Sequence, residues 1–434
     1  DSAQVMFTLP AGTIIPAGGY LVFYDDLTAP DYYGLDMNIS YGPYTGGLSG
    51  SGERVALKNA AGTIINELTY DDRSPWPVEA DGFGPSLELI SPALDNRLGS
   101  SWGIGQPYTP GSANNPASAV GGDIVITEIQ YNPIKGGYIQ SLDPFWSSQP
   151  PYWNEGDDET GEFVEIYNKS DQAIDLADWK LLDEDGILFQ FPAGTSLAAK
   201  SYLAICSDSA AIASRFGISN VIGNFTNPGN QLSNGGERIM LLNAANSIID
   251  AVHYQDTPPW PIAPDQNGVS LECMDPTADN SVPANWRSFR GTSTQTTVGA
   301  YTYLNRGTPG KANSVSASGL PPFVDISQFK HSPKRPTSAD SITITAEVTS
   351  GETIASVTLY YEVFVAPYQT AITALSVPMI DDGLHGDDLA GDGKYGAILA
   401  PLASQSLLRY KITATDGSGR SWTYPDVKEP NPNR

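Results

Sequence analysis

Cysteine and histidine are scarce in this 434-residue chain, with two of the first and three of the second. So few ligands argue against a structural zinc site, which takes four Cys or His side chains. Basic residues are also few. The 23 Lys and Arg stand against 49 Asp and Glu, for a formal net charge of −26. A chain this acidic repels phosphate backbones and anionic lipid heads, so nucleic acid and membrane surfaces are poor partners. No stretch approaches ~18 consecutive apolar residues, so no membrane insertion is expected. Catalytic signatures are missing as well. There is no serine elbow, no Ser/His/Asp arrangement and no kinase loop set. Glu162 and Glu165 stand three apart on an expected strand, which puts them on opposite faces and not in a working pair. The expectation is that no enzyme lies in this stretch.

Apolar residues make up 40%, enough for several cores, and 43 Gly with 34 Pro favour short elements joined by many turns. The chain also repeats itself. "GERVALKNAAGTIINELTYDDRSPWP" from Gly52 and "GERIMLLNAANSIIDAVHYQDTPPWP" from Gly236 lie 184 residues apart (236 − 52). Over Leu48–Trp102 and Leu232–Trp286 the two runs match without a gap at 25 of 55 positions. "FTLPAGT" from Phe7 and "FQFPAGT" from Phe189 extend the match upstream, and "TPGSAN" and "TPGKAN" extend it downstream. Two units with so long a period are duplicated domains and not a solenoid.

The second unit reads as many brief strands: "DIVITEIQYN", "EFVEIYN", "IDLADWKLL", "SYLAIC", "ERIMLL", "SIIDAVHY" and "SLECM". Each is alternating or β-branched and ends at Gly, Pro, Asn or Asp, the pattern of an all-β fold built of tandem immunoglobulin-like β-sandwiches. Leu57, Leu241, Tyr70 and Tyr254 are expected to face the cores. One helix is expected in "DSAAIASRF", capped by Asp208 and stopped by Gly217. The first unit starts at the counterpart of Asp183 and so lacks three strands. A sandwich without them leaves one face of its core wet, and the expectation is that the native polypeptide extends upstream. Domain limits follow from the polar linkers "NPASAVGG" and "NSVSASGLPP": residues 1–116, residues 117–318 with a long insertion at 133–161, and residues 319–434.

"IVITEIQYNP", "GEFVEIYNKSDQAIDLADWKLLDEDG", "FPAGTSLAAKSYLAIC" and "TPGKANS" resemble a bacterial lamin tail domain, an immunoglobulin-like β-sandwich. The resemblance covers 123–313, and 1–114 as an N-terminally truncated copy. The last domain, where Tyr410 precedes an Ala and an acidic turn, is similar to immunoglobulin and fibronectin III modules of the kind found beside CotH-like kinase domains. The resemblance implies secreted or cell-surface bacterial modules that act as spacer, adhesion or interaction units. Their partners would be other protein modules or glycans, and open strand edges would permit self-assembly. Accessory domains of a larger enzyme outside this stretch are the further alternative.

Three motifs leave alternatives open. In "DDGLHGDDLAGDGKYG", Asp381, Asp382, Asp387, Asp388 and Asp392 either wrap a calcium ion or cap tight turns. In the insertion, Tyr138, Phe145, Trp146, Tyr152 and Trp153, followed by acidic residues, either stack on a ligand such as a sugar or pack between domains. Cys206 and Cys273 are either buried thiols or one disulfide of an exported chain. The Pro-Trp-Pro turns at Trp76 and Trp260 read as structural plugs.

Overall fold

The computed structural model describes residues 7–72, 76–80, 85–105, 108–115, 122–134, 159–183, 186–226, 231–298, 301–365 and 371–424. It is mostly strand, as the alternation of apolar residues requires.

In the first unit, β1 (Val22–Phe23) and β2 (Ser40–Tyr41) pair in parallel, with α1 (Ala29–Tyr33) between them in sequence. β3 (Glu53–Lys58) pairs with β4 (Ile64–Tyr70), and β5 (Ser86–Leu89) with β6 (Trp102–Gly105), both antiparallel. Each described sheet in this unit has two strands.

The second unit runs through β7 (Ile124–Gln130), β8 (Phe163–Asn168), β9 (Ile174–Asp175), β10 (Lys180–Asp183), β11 (Gly186–Gln190), β12 (Ser196–Leu197) and β13 (Tyr202–Cys206). After α2 (Ser209–Phe216) come β14 (Val221–Ile222), β15 (Gly236–Leu242), β16 (Ile248–Gln255), α3 (Ala263–Asn267), β17 (Leu271–Cys273) and β18 (Trp286–Ser288). A hairpin of β19 (Thr294–Val298) and β20 (Tyr301–Asn305) closes it. One sheet has the order β14-β13-β8-β7-β17-β18, and the other β11-β10-β15-β16. Between them lies one core holding Ile126, Ile129, Tyr131, Ile166, Leu181, Ile239, Leu241, Tyr254 and Trp286. The outer face of the larger sheet is covered too: Ile212 of α2 packs on Phe163, Ala204 and Cys206. α2 is capped as its sequence requires, with Asp208 accepting from Ala211 N at 2.9 Å and Gly217 closing it at φ 67°.

The third unit is a smaller sandwich. β21 (Phe323–Ser332), β22 (Ile342–Thr349) and β25 (Lys394–Leu399) form one sheet in the order β21-β22-β25. β23 (Ile354–Val365), β24 (Ala371–Met379), β26 (Ser406–Asp416) and β27 (Ser421–Tyr424) form the other, in the order β24-β23-β26-β27. Ile344, Leu359, Ile412 and Ala414 fill the space between. Tyr410 lies on β26, the penultimate strand.

The repeat holds at the level of hydrogen bonds. Glu53 faces Tyr70 across β3–β4 as Glu237 faces Tyr254 across β15–β16, and both ladders shift register after the counterpart leucines Leu57 and Leu241. The Tyr70 hydroxyl donates to Ser49 O at 2.7 Å, and the Tyr254 hydroxyl to Ser233 O at 2.7 Å. Trp102 Nε1 donates to Asn96 O at 3.0 Å, and Trp286 Nε1 to Asn280 O at 2.7 Å.

Burial does not follow the repeat, and this corrects one expectation. Leu241 and Tyr254 are fully buried, but Leu57 is 52% exposed and Tyr70 only half-buried. In the second unit β10 lies along β15 and brings Leu181 opposite Leu241. Among the described residues, nothing lies along the corresponding edge of β3.

Candidate functional site

The most unusual chemistry in the molecule is a set of three buried glutamates on adjacent central strands of the second unit. Glu128 is on β7, Glu165 on β8 and Glu272 on β17, and all three are inaccessible to solvent. A β-bulge at Thr127 sets Glu128 opposite both Glu165 and Glu272. The segment Gly307–Ser314 folds over the set and supplies its donors. Thr308 N donates to Glu128 at 2.7 Å, and the Thr308 hydroxyl donates to Glu272 at 2.7 Å. Gly310 N donates to the Glu165 carboxylate at 2.6 Å, the Thr127 hydroxyl to the same group at 2.9 Å, and the Ser314 hydroxyl to Glu272 at 2.5 Å. Burial raises the pKa of each glutamate above the usual carboxylate range. The charge of Glu272 adds to this at Glu128, and the charge of Glu128 adds to it at Glu165. The arrangement therefore favours the protonated carboxyls and anchors a backbone segment.

That segment runs straight into the junction with the third unit. Asn313 Nδ2 donates to Thr127 O at 2.6 Å and Cys273 O at 2.8 Å. Ala317 N reaches Met274 O at 3.0 Å, and Gly319 N reaches the Asp275 carboxylate at 2.7 Å. The Arg287 guanidinium then lies 3.1 Å above the Trp422 ring, which also meets Phe323 edge-on at 4.8 Å. On the other side, Val78 of the first unit is buried against Met240 and Ala251, and Arg238 Nη1 donates to Val78 O at 3.4 Å.

The Asp-rich stretch of the third unit is a turn assembly. Asp387 is buried and accepts from Asp382 N (2.6 Å), Gly383 N (2.7 Å) and His385 N (2.9 Å). Asp381 accepts from Gly391 N at 2.5 Å and Gly393 N at 3.0 Å. Asp382 accepts from Leu384 N, Asp392 from Lys394 N, and Asp388 pairs with the Lys394 ammonium. The carboxylates are engaged separately along the loop, and no group of three or more His, Cys, Asp or Glu among the described residues is arranged to hold a metal ion. Asp387→Ala leaves three backbone donors without their acceptor and is expected to cost the third unit about 1–3 kcal/mol. Asp388→Ala, at a side chain 75% exposed, should change stability by less than about 0.5 kcal/mol. Urea denaturation of both variants, with and without added calcium, measures the difference.

Cys206 and Cys273 are both free and buried, which corrects the disulfide alternative. β8 and β7 stand between β13 and β17 in the sheet. Three strand spacings of ~4.8 Å exceed the ~7 Å that a disulfide can span. Cys273 belongs to the central core and Cys206 to the cluster under α2, and burial pushes both thiols up. The aromatic candidates Tyr138, Phe145, Trp146, Tyr152 and Trp153 lie outside the described residues. Trp76 and Trp260 are buried plugs, each beside the next tryptophan of its unit, Trp102 and Trp286.

Reading the sequence alone missed the three glutamates. The signal was there: a single acid inside each of the apolar runs "VITEI", "FVEIY" and "SLECM". No helix among the described residues is long and apolar enough to cross a membrane. A search of curated proteins returns no match. Residues 117–256, through the end of β16, match the family model described as the Lamin Tail Domain, an immunoglobulin-like fold.

Proposed function

We propose that the chain is a non-catalytic scaffold of a secreted or surface-attached bacterial protein, holding three β-sandwich modules in fixed relation so that they space or present binding surfaces. In this reading the first two modules are copies of one lamin tail design. The third is a fibronectin III-like module. The partners are other protein modules or glycans.

The observation that carries the reading is the junction between the second and third units. A flexible linker would be solvated, yet residues 313–319 are hydrogen-bonded to Thr127, Cys273, Met274 and Asp275. The Arg287–Trp422 stack then fixes the third unit on the end of the second. Chain segments tied down in this way transmit position, which is what a spacer requires. The match of residues 117–256 to the lamin tail family model, an interaction fold, supports the same conclusion.

Trp422→Ala removes the ring between Arg287 and Phe323. It is expected to cost about 1–2 kcal/mol of contact between units. Interdomain orientation, measured by residual dipolar couplings on the second and third units, should become averaged in the variant and be single-valued in the parent. Averaged couplings in the parent would contradict a fixed junction. Cell fractionation tests the location: the reading requires the protein outside the cytoplasm.

A further inference from the structure

The segment that leaves the second unit for the third passes directly over Glu128, Glu165 and Glu272 and is tied to all three. Thr308 N donates to Glu128, Gly310 N to Glu165, and the Thr308 and Ser314 hydroxyls to Glu272. Asn313, Ala317 and Gly319 continue this strap along Cys273, Met274 and Asp275 to the third unit. The clasp occurs at the exit of the first unit as well. There the Thr109 hydroxyl and Asn115 N donate to Glu88, the counterpart of Glu272, and Asn114 Nδ2 donates to Leu89 O as Asn313 Nδ2 does to Cys273 O. At the exit of the second unit Glu272 is joined by Glu128 and Glu165.

Glu128 has Glu272 as its register partner on one side and Glu165 on the other, at the ~4.8 Å spacing of paired strands. Among the described residues no ion pair reaches any of the three. The cations of the surrounding elements are engaged elsewhere. Arg306, two residues before Thr308, is buried and donates to Asn267 O, and burial alone lowers its pKa to about 10. On α2, Arg215 donates to Thr160 and lies over Tyr303. On β18, Arg287, the register partner of Glu272, lies over Trp422. Lys311 is exposed on the strap itself. Burial pushes up the thiols of Cys206 and Cys273. It also pushes the Tyr202 hydroxyl on β13 up to about 12, with the charges of Tyr167 and Glu165 adding to it. Three ionised carboxylates under the strap would repel one another with neither water nor a cation to offset them. The closed strap therefore suits protonated carboxyls, and lifting it lets water reach them.

We propose that the three carboxyls are a pH-operated catch on this junction: protonated, they hold residues 307–319 closed and the third unit fixed; ionised, they take up water by lifting the strap, which frees the third unit to reorient. This rests on the reading of the junction as fixed. The sign follows from burial. Burial raises all three carboxyls, Glu128 to about 8, while a carboxyl under a lifted strap meets water and returns toward ~4.3. Lifting therefore releases protons. It becomes more favourable by up to about tenfold per pH unit for each group as pH rises toward the raised value.

The test compares the full chain at about pH 6 and about pH 9. Protection of the Thr308 and Gly310 amides, corrected for the intrinsic pH dependence of exchange, should fall by at least about tenfold at the higher pH and return on re-acidification. The Leu241 amide in the core should stay better protected than either, which separates lifting of the strap from unfolding of the unit. Residual dipolar couplings on the second and third units should fit one orientation at the lower pH and be averaged at the higher. A chain carrying Glu128→Gln, Glu165→Gln and Glu272→Gln together keeps an acceptor oxygen at each place and should give both readings independent of pH. Unchanged strap protection in the parent, one orientation at both pH values, or an equal loss in the triple variant overturns the catch. Couplings already averaged at the lower pH contradict the fixed junction instead, and the amide protection of the strap still decides the catch.

Discussion

Trp286→Ala is expected to destabilise the second unit by about 3–5 kcal/mol, enough to remove much of a domain's usual margin. The indole is fully buried in the central core, stacks at a tilt on Trp260 and donates its N–H to Asn280 O. Alanine leaves a large cavity and a buried carbonyl without its donor. Leu241→Ala, at another fully buried core site, should cost about 2–5 kcal/mol. Its counterpart Leu57→Ala should cost less than about 0.5 kcal/mol, since that side chain is half in water already. Calorimetric unfolding of the three variants checks the ordering. The contrast between Leu241 and Leu57 matters more than either value, because sequence position and backbone register are matched and only the covering strands differ.

The second large effect is a dependence on pH. Glu128, Glu165 and Glu272 have folded pKa values raised by burial above the ~4.3 of an exposed glutamate. Below that unfolded value both states are protonated and the stabilisation is complete. As pH rises the unfolded chain ionises first, so unfolding releases protons and the folded state loses ground until its own elevated pKa values are passed. Each group contributes a slope of up to about 1.4 kcal/mol per pH unit in that window. The melting temperature of the second unit should therefore fall as pH rises from about 5 toward the raised value of about 8 at Glu128. Glu165→Gln replaces the carboxyl with an uncharged group of the same shape, whose oxygen still accepts from Gly310 N while its NH2 donates to the Thr127 hydroxyl, and should flatten the slope. Glu165→Ala removes the acceptor altogether and should loosen the Gly307–Ser314 segment, read as faster amide exchange at Gly310.

Much of this architecture was legible before any coordinates. The alternation in "DIVITEIQYN" and "ERIMLL" marks strands because a period of two suits only a pleated sheet. The repeat at 184 pairs Tyr70 with Tyr254 and Trp102 with Trp286, and in the structure the members of each pair make equivalent hydrogen bonds. Asp208 and Gly217 bounded the helix by cap chemistry alone. The turn alternative for the Asp-rich stretch describes its backbone contacts, since an Asp before a Gly readily accepts from nearby N–H groups.

The buried glutamates were hidden for a physical reason. In an alternating strand with one wet face, an acid such as Glu128 reads as the solvent side. Here the sheet is covered on both faces, by the core on one and by α2 and the Gly307–Ser314 segment on the other, and the bulge at Thr127 turns Glu128 away from the core and under that segment. Neither the cover nor the bulge is local to the strand, so neither is written in its sequence. The exposure of Leu57 was misjudged for the same kind of reason. Burial at this position depends on a strand distant in sequence, as β10 is for Leu241, and similar local sequence does not carry that cover.

Amide hydrogen exchange on the unmodified chain tests the central claim most directly, that one strand design is closed in the second unit and open in the first. Amides of Leu241 and Met240, paired on both sides by β10 and β16, should exchange only through global opening of that unit. The amides at the counterpart positions Leu57 and Ala56 should exchange orders of magnitude faster, through local opening of a two-stranded ribbon. Equal protection at the two sites would mean that the first unit is already closed, and the account of its open edges would fail.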